Sequence, residues 1–367
     1  MKKVIIVPDS FKGTLSSVEV CRLTEKAIKK KYPDAVCVSI PVADGGEGTL
    51  DAFMYAQKCE AVSLTAQNPL GEKTETSFAV TEDGTAVIEM AKVSGITLIN
   101  PLSPLEASTF GTGEIVKAAL DRGLRKICIG IGGSATTDAG AGCLEALGVK
   151  FFDKNGVLLR GSGKNLVNID KIDISGLDKR LGECEITVLC DVENPLYGEM
   201  GAAYVFAPQK GASEDEVSYL DRGLRNFSEK TKEITGTDFS HEKGAGAAGG
   251  LGFALMAYFG AKMKSGINTV LDLCSFEEKL SGADLVITGE GKMDSQSING
   301  KVPFGVAERA GGIPVTAIVG LNAIDADLAR ANGISKIIET NAEHLDFEEV
   351  KKVCREQFMR AAEKIEL

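Results

Sequence analysis

K-I-C-I-G-I-G-G-S-A-T-T-D-A-G-A-G, residues 126–142, is the stretch that decides the fold. It opens with alternating β-branched residues, Ile127, Ile129 and Ile131, and breaks at Gly132-Gly133 into a small-residue loop that predicts a helix start at about Asp138. The reading is strand, tight turn, helix. Glycines at a strand's carboxyl end let backbone N–H groups approach a ligand with no Cβ in the way, and a helix N-terminus attracts anions. Ser134, Thr136, Thr137 and Asp138 add hydroxyl and carboxylate oxygens there. Taken alone, the stretch also reads as a Gly-rich turn with an Asp N-cap.

Working outward, similar junctions recur. Residues 3–8 form a strand that ends in P-D-S-F-K-G-T, which gathers Asp9, Ser10 and Lys12; Ser16-Ser17-Val18-Glu19 is a capping box opening a helix to about Lys31. Val36–Ile40 ends in P-V-A-D-G-G-E-G-T, where Asp44 and Glu47 repeat the pattern. Ile186–Cys190 ends at Asp191-Val192-Glu193, and Asp284–Thr288 ends in G-E-G-K-M-D-S-Q-S, with Glu290, Lys292 and Asp294. Strands that discharge carboxylates into Gly-rich loops match the rule that open α/β sheets bind ligands at strand carboxyl ends.

Between Cys59 and Met90 the pattern changes to short alternating segments separated by N-P-L-G and E-D-G-T turns, which predicts antiparallel strands. The fold class expected is therefore α/β. A discontinuous flavodoxin-like parallel-sheet domain takes residues 1–58 and 280–367, and a second, mixed α/β domain is inserted at 59–279, carrying the GGSATTD loop, with the active site in the cleft between them.

Composition supports this class. The 367 residues suit two domains, and 44% hydrophobic and 25% charged residues with 42 Gly describe a folded, loop-rich chain. A net charge of −11 argues against nucleic-acid binding. No apolar run reaches the roughly 20 residues of a membrane span. Nine cysteines without a C-x-x-C pair read as reduced core residues, which predicts a cytoplasmic location, and M-K-K-V-I-I-V-P-D-S reads as a strand, not a signal peptide. His241 and His344 are the two histidines, and neither has a metal-ligand neighbour at useful spacing, which disfavours zinc chemistry and Ser-His-Asp triads.

Many carboxylates, a few lysines and several Gly-rich cradles suit phosphoryl transfer with magnesium: hard oxygens hold the ion, backbone N–H groups hold phosphates, and a lysine neutralises charge. The chain has no G-x-x-x-x-G-K-[ST] and no H-R-D with D-F-G. Gly244-Ala-Gly246-Ala-Ala-Gly249 fits G-x-G-x-x-G, but it follows no strand, so it reads as a Gly-lined helix start that holds an anion or packs closely.

Six blocks carry a resemblance: V-P-D-S-F-K-G-T-L-S (7–16), P-V-A-D-G-G-E-G-T (41–49), I-G-G-S-A-T-T-D-A-G-A-G (131–142), C-D-V-E-N-P-L-Y-G (190–198), G-A-G-A-A-G-G-L-G (244–252) and I-T-G-E-G-K-M-D-S-Q-S (287–297). In this order they resemble the bacterial glycerate kinase family of glycerate and glucarate catabolism. The resemblance implies a two-domain cytoplasmic enzyme that uses ATP and Mg2+ to phosphorylate D-glycerate, in most members at the 2-hydroxyl. It leaves the individual roles open. Asp191 is expected as general base or magnesium ligand, and Lys12 with Ser10 as the grasp on the glycerate carboxylate or transferred phosphate. Asp9, Asp44, Ser134 and Thr136 are further substrate candidates; Gly132, Gly133, Gly246, Gly249, Glu290 and Lys292 are nucleotide or phosphate candidates; Asp294 and Glu47 are metal candidates. The alternatives are a kinase forming 3-phosphoglycerate, a small-hydroxyacid dehydrogenase and a two-domain solute-binding protein. Both a monomer and a homodimer are compatible with the sequence.

Overall fold

The computed structural model describes residues 2–294, 297–298, 301–340 and 345–367; His344, and Ser295 and Gln296 of the last motif, lie outside the described residues. In chain order the strands are β1 (Lys3–Pro8), β2 (Val36–Ser39), β3 (Cys59–Gln67), β4 (Lys73–Thr81), β5 (Thr85–Glu89), β6 (Lys126–Gly130), β7 (Lys150–Phe152), β8 (Leu158–Leu159), β9 (Lys171–Asp173), β10 (Glu185–Leu189), β11 (Lys262–Lys264), β12 (Leu285–Met293), β13 (Val315–Asn322) and β14 (Lys336–Glu339). They belong to two compact units, Met1–Lys58 with Ser265–Leu367, and Cys59–Lys264.

The first unit is built on a five-stranded parallel sheet in the order β14-β13-β12-β1-β2. Numbered within the unit this is 2-1-3-4-5, the flavodoxin-like order, in which the direction of winding reverses between β1 and β12. Val4, Ile5, Ile6 and Val7 are fully buried, as a central parallel strand covered on both faces requires. The helix Ser17–Lys31 starts at the expected capping box, with Ser16 and Glu19 bonded reciprocally, and buries Val20, Ala27 and Ile28. The last helix, Phe347–Ala362, packs beside it through Phe358, whose ring meets Phe11 edge-on at 5.4 Å.

This unit starts its second segment at Ser265, 15 residues before the return at 280 that the residue pattern suggests. The reason is the helix Gly266–Leu273, which buries Ile267, Val270 and Leu271. A Cβ on Gly266 would lie 2.4 Å from the Asp44 backbone, and one on Gly305 would lie 2.8 Å from Ile267, so glycines on both sides allow this close approach. β12 also runs on past Thr288, so Glu290 sits within a strand and not in a loop.

The second unit holds a six-stranded sheet, β11-β10-β6-β5-β4-β3. β3, β4 and β5 are antiparallel, as their alternation predicts, while β5, β6, β10 and β11 run parallel. Phe151, Phe227 and Phe253 stack in its core at centroid distances of 5.8 and 6.3 Å. Phe227 comes from the long helix Glu214–Thr235, capped by Ser213 and Glu216 and stopped by Gly236 in the left-handed region. A small sheet, β8-β7-β9, completes the unit.

Candidate active site

In the first unit the candidate residues gather where β1 ends alongside the middle of β12. Register pairs Pro8 with Gly289, so Asp9, just past β1, and Glu290, within β12, come next to this pair at the point where the winding reverses. Asp9 donates its N–H to the Gly289 carbonyl (2.9 Å) and accepts from the Ser10 N–H (2.7 Å). Phe11 and Leu15 exchange backbone hydrogen bonds of 2.8 and 3.1 Å, and this tight turn, with Gly13 at φ 76°, presents Lys12. Its ammonium lies 3.6 Å from Asp44, whose other oxygen accepts from the Gly46 N–H.

The electrostatics of this cluster follow from burial. Asp9 is 3% exposed and its carboxyl is held well above the usual range, by desolvation first and then by the charge of Asp44; Lys12 and the Ser10 N–H pull it back. Glu290, 6% exposed, is pushed up to about 7, again chiefly by burial, against the opposing Ser297 hydroxyl and Lys301. Asp44 drives the Lys12 pKa upward, so the ammonium stays charged, although its side chain is over half exposed. Two buried oxygens here, Ser10 Oγ and Glu290 Oε1, have no hydrogen-bond partner among the described residues. Buried polar atoms are normally satisfied, so such orphans mark a place where a ligand completes the set.

The remaining candidates of this unit differ. Asp294 lies 3.5 Å from Lys292 and 3.9 Å from Lys301, so both its oxygens already face cations. Glu47 is exposed in the loop before the helix Thr49–Ala56.

In the second unit three of the Gly-rich motifs come together. Gly249, at φ 65°, lies so close to the 131–142 loop that a Cβ would stand 2.0 Å from the Thr136 carbonyl, and its own carbonyl accepts from Ala139 N–H. Gly246 lies against Pro195, where a Cβ would stand 2.3 Å from the carbonyl, and its N–H goes to Asn194. These two glycines are needed for close packing, and the Gly246 N–H is already committed. Gly132 and Gly133 lie nearer the surface, with Gly133 at φ 77°. The Gly133 carbonyl accepts from Ile96 and Ala135 donates to Ser94, which fixes the loop against its neighbour.

Asp138 does not cap the helix, which begins at Ala141; its fully buried carboxylate accepts from Thr109 N–H and Oγ1 and from the Gly140 and Gly142 N–H groups. It is the internal brace of the loop. Asp191 stands half-buried two residues beyond β10, and Glu193 beyond it pairs with Lys243 at 2.8 Å on the surface.

Lys210 was not among the sequence candidates, yet it lies under this loop. It is 2% exposed and donates to Ser134 Oγ (2.8 Å) and the Thr136 carbonyl (2.5 Å). Burial pulls its pKa down to about 7, against the charge of Asp138. A-P-Q-K-G at 207–211 contains the local signal for a turn, Pro in first position and Gly at φ 92° behind it, but nothing there marks the lysine as buried.

Residues 4–366 match the glycerate kinase family. The chain belongs to that family. Curated relatives include a glycerate 2-kinase of Escherichia coli strain K12, 47% identical over 91% of this chain and 89% of that protein, and a glycerate kinase of Bacillus subtilis strain 168, 42% identical over 99% and 96%. A crystal structure from Salmonella typhimurium LT2, named as a candidate glycerate kinase 2, superposes with a TM-score of 0.78 at 40% identity, covering 99% of this chain and 96% of that one. Across this family member no helix among the described residues is long and apolar enough to cross a membrane.

Proposed function

We propose that this glycerate kinase family member transfers the γ-phosphoryl group of ATP to the 2-hydroxyl of D-glycerate, forming 2-phosphoglycerate and ADP. The observation that carries the reading is the cluster of Asp9, Ser10, Lys12, Asp44 and Glu290 at the winding reversal of the first unit, with two buried oxygens that have no partner among the described residues. An anionic three-carbon acid needs a cation that stays charged, and Lys12 supplies it. It also needs neighbouring carboxyls that do not repel it, and burial favours the neutral form of Asp9.

In the reaction the glycerate hydroxyl oxygen forms a bond to the γ-phosphorus, the bond from that phosphorus to the β–γ bridging oxygen breaks, and ADP leaves. The hydroxyl proton needs an acceptor. Asp191 is one candidate, as the carboxylate that follows a buried strand. Glu290 is favoured by a specific observation: a carboxyl poised near 7 with one oxygen unpaired is matched to taking a proton at neutral pH. Lys12 and Ser10 orient the acid. Within the second unit, the loop of Gly132, Gly133, Ser134 and Thr136 is the candidate for holding phosphate.

Magnesium, when bound with the nucleotide, neutralises charge on the β- and γ-phosphates. Among the described residues no three His, Cys, Asp or Glu side chains converge as a cage. That fits an ion held by one or two carboxylates and the phosphates themselves. Asp191 is the fitting donor. Asp294, between two lysines, fits poorly, and Glu47 has only its exposure in favour.

The test is a coupled assay for ADP with D-glycerate and ATP, followed by phosphorus NMR of the product. A resonance for 3-phosphoglycerate would move the acceptor to the other hydroxyl. ADP release that does not depend on D-glycerate would remove the acid from the reading.

A further inference from the structure

Lys210 has no role in the reading above, yet it is among the most deeply buried cations of the chain. Its position is built by short-range chemistry: Pro208 opens a one-turn 3-10 segment, Lys210 N–H closes it on Ala207, and Gly211 ends it in the left-handed region. Its ammonium has three N–H donors. One goes to Ser134 Oγ, one to the Thr136 carbonyl, and the third has no partner among the described residues. The charged group that acts on it is Asp138, whose own carboxylate is occupied by four hydrogen bonds.

The geometry has a directional consequence. Because Ser134 Oγ accepts from Lys210, the serine's own proton points away from the ammonium. Ser134 is half-buried, on the loop whose Gly133 is exposed, so that proton is free to turn to the open side of the loop. A hydroxyl whose oxygen receives a bond from a cation is a stronger donor. We propose that Lys210 is a positioning residue: acting through Ser134, it tunes the Gly132–Thr136 loop to receive an anionic oxygen, whether of a nucleotide phosphate or of the acid's carboxylate. This rests on the kinase reading.

Calorimetric titration of the full chain with D-glycerate, ATP and inorganic phosphate as separate probes tests it, using Lys210→Met, Ser134→Ala and the double variant. Each single substitution should weaken the same probe about tenfold or more, and the double variant should lose no more than the worse single one. Which probe weakens identifies the source of the oxygen. Unchanged binding of all three probes to Lys210→Met, or losses that add in the double variant, would overturn the proposal. Wild-type binding to none of them would overturn it too. ADP formation separates the two failures: turnover with unaffected binding sinks this inference alone, while absence of turnover sinks the kinase reading.

Should Lys210→Met fail to fold, Ser134→Ala decides through the pH profile. Wild-type affinity for the responding probe should fall as pH rises through about 7, where Lys210 loses its proton, and the serine variant should lack that limb. A limb retained in Ser134→Ala would show that the lysine does not act through this hydroxyl.

Discussion

The two units place a lysine beside an anion site in opposite ways. In the first unit Lys12 is half exposed and three carboxyls surround it, so the cation keeps its charge and burial falls on the acids. In the second unit Lys210 is buried and its partners are a hydroxyl and a carbonyl, so burial falls on the cation. The lesson is that desolvation moves whichever partner is inside, and it moves acids up and amines down. Both routes bring a group to about 7, Glu290 in one and Lys210 in the other.

The largest effect that would break this comparison is expected from Glu290→Gln. If Glu290 accepts the hydroxyl proton, kcat should fall by about 10²–10⁴-fold, and wild-type kcat should rise with pH through about 7. Stability should move the other way. The folded carboxyl binds its proton more tightly than the unfolded one, so stability falls as pH rises from the ordinary glutamate range through about 7. Glu290→Gln should therefore raise the melting temperature at pH 8 and leave it nearly unchanged at pH 4. A variant that turns over normally returns the proton to Asp191.

Gly249→Ala probes the second region. A Cβ at φ 65° and 2.0 Å from a carbonyl should cost about 3 kcal/mol or more, read as a lower urea midpoint. Next comes Asp191→Asn, for which kcat should fall more than about tenfold, with a steeper magnesium dependence if the residue holds the ion. Lys12→Met should raise the D-glycerate KM about tenfold. The smallest effect on stability belongs to Lys292→Ala: the lysine of its pair with Asp294 is largely in solvent, so the unfolding free energy should stay within about 0.5 kcal/mol.

Much of the first unit could be read from local pattern. The capping box at Ser16 and Glu19, the buried run Val4–Val7 and the acidic strand ends each have a short-range signature, and together they specify a parallel sheet with ligands at its carboxyl edge. The boundary at Ser265 has no local marker: the apolar face of the helix Gly266–Leu273 suits any core, and its close approach to Asp44 and Gly305 ties it to the first unit. In the second unit the glycine motifs are visible in the sequence, which leaves two purposes open for Gly244–Gly249, holding an anion or packing closely. The close approach of Gly246 to Pro195 and of Gly249 to Thr136 supplies the packing half of that reading. Lys210 was illegible because its partners lie 74 and 76 residues away, and no local period records a contact of that range.

The split origin of the first unit governs how the chain is made. β1 is hydrogen-bonded on one side to β2 and on the other to β12, which is synthesised only after the whole of the second unit. During translation Cys59–Lys264 has all its own strands in hand, while the hydrophobic edge of β1 waits for a neighbour still inside the ribosome. Nascent chains stalled so that Lys264 has left the ribosome and Leu285 has not should thus carry one protease-resistant body and one open sheet edge, the form in which a chaperone has most to hold.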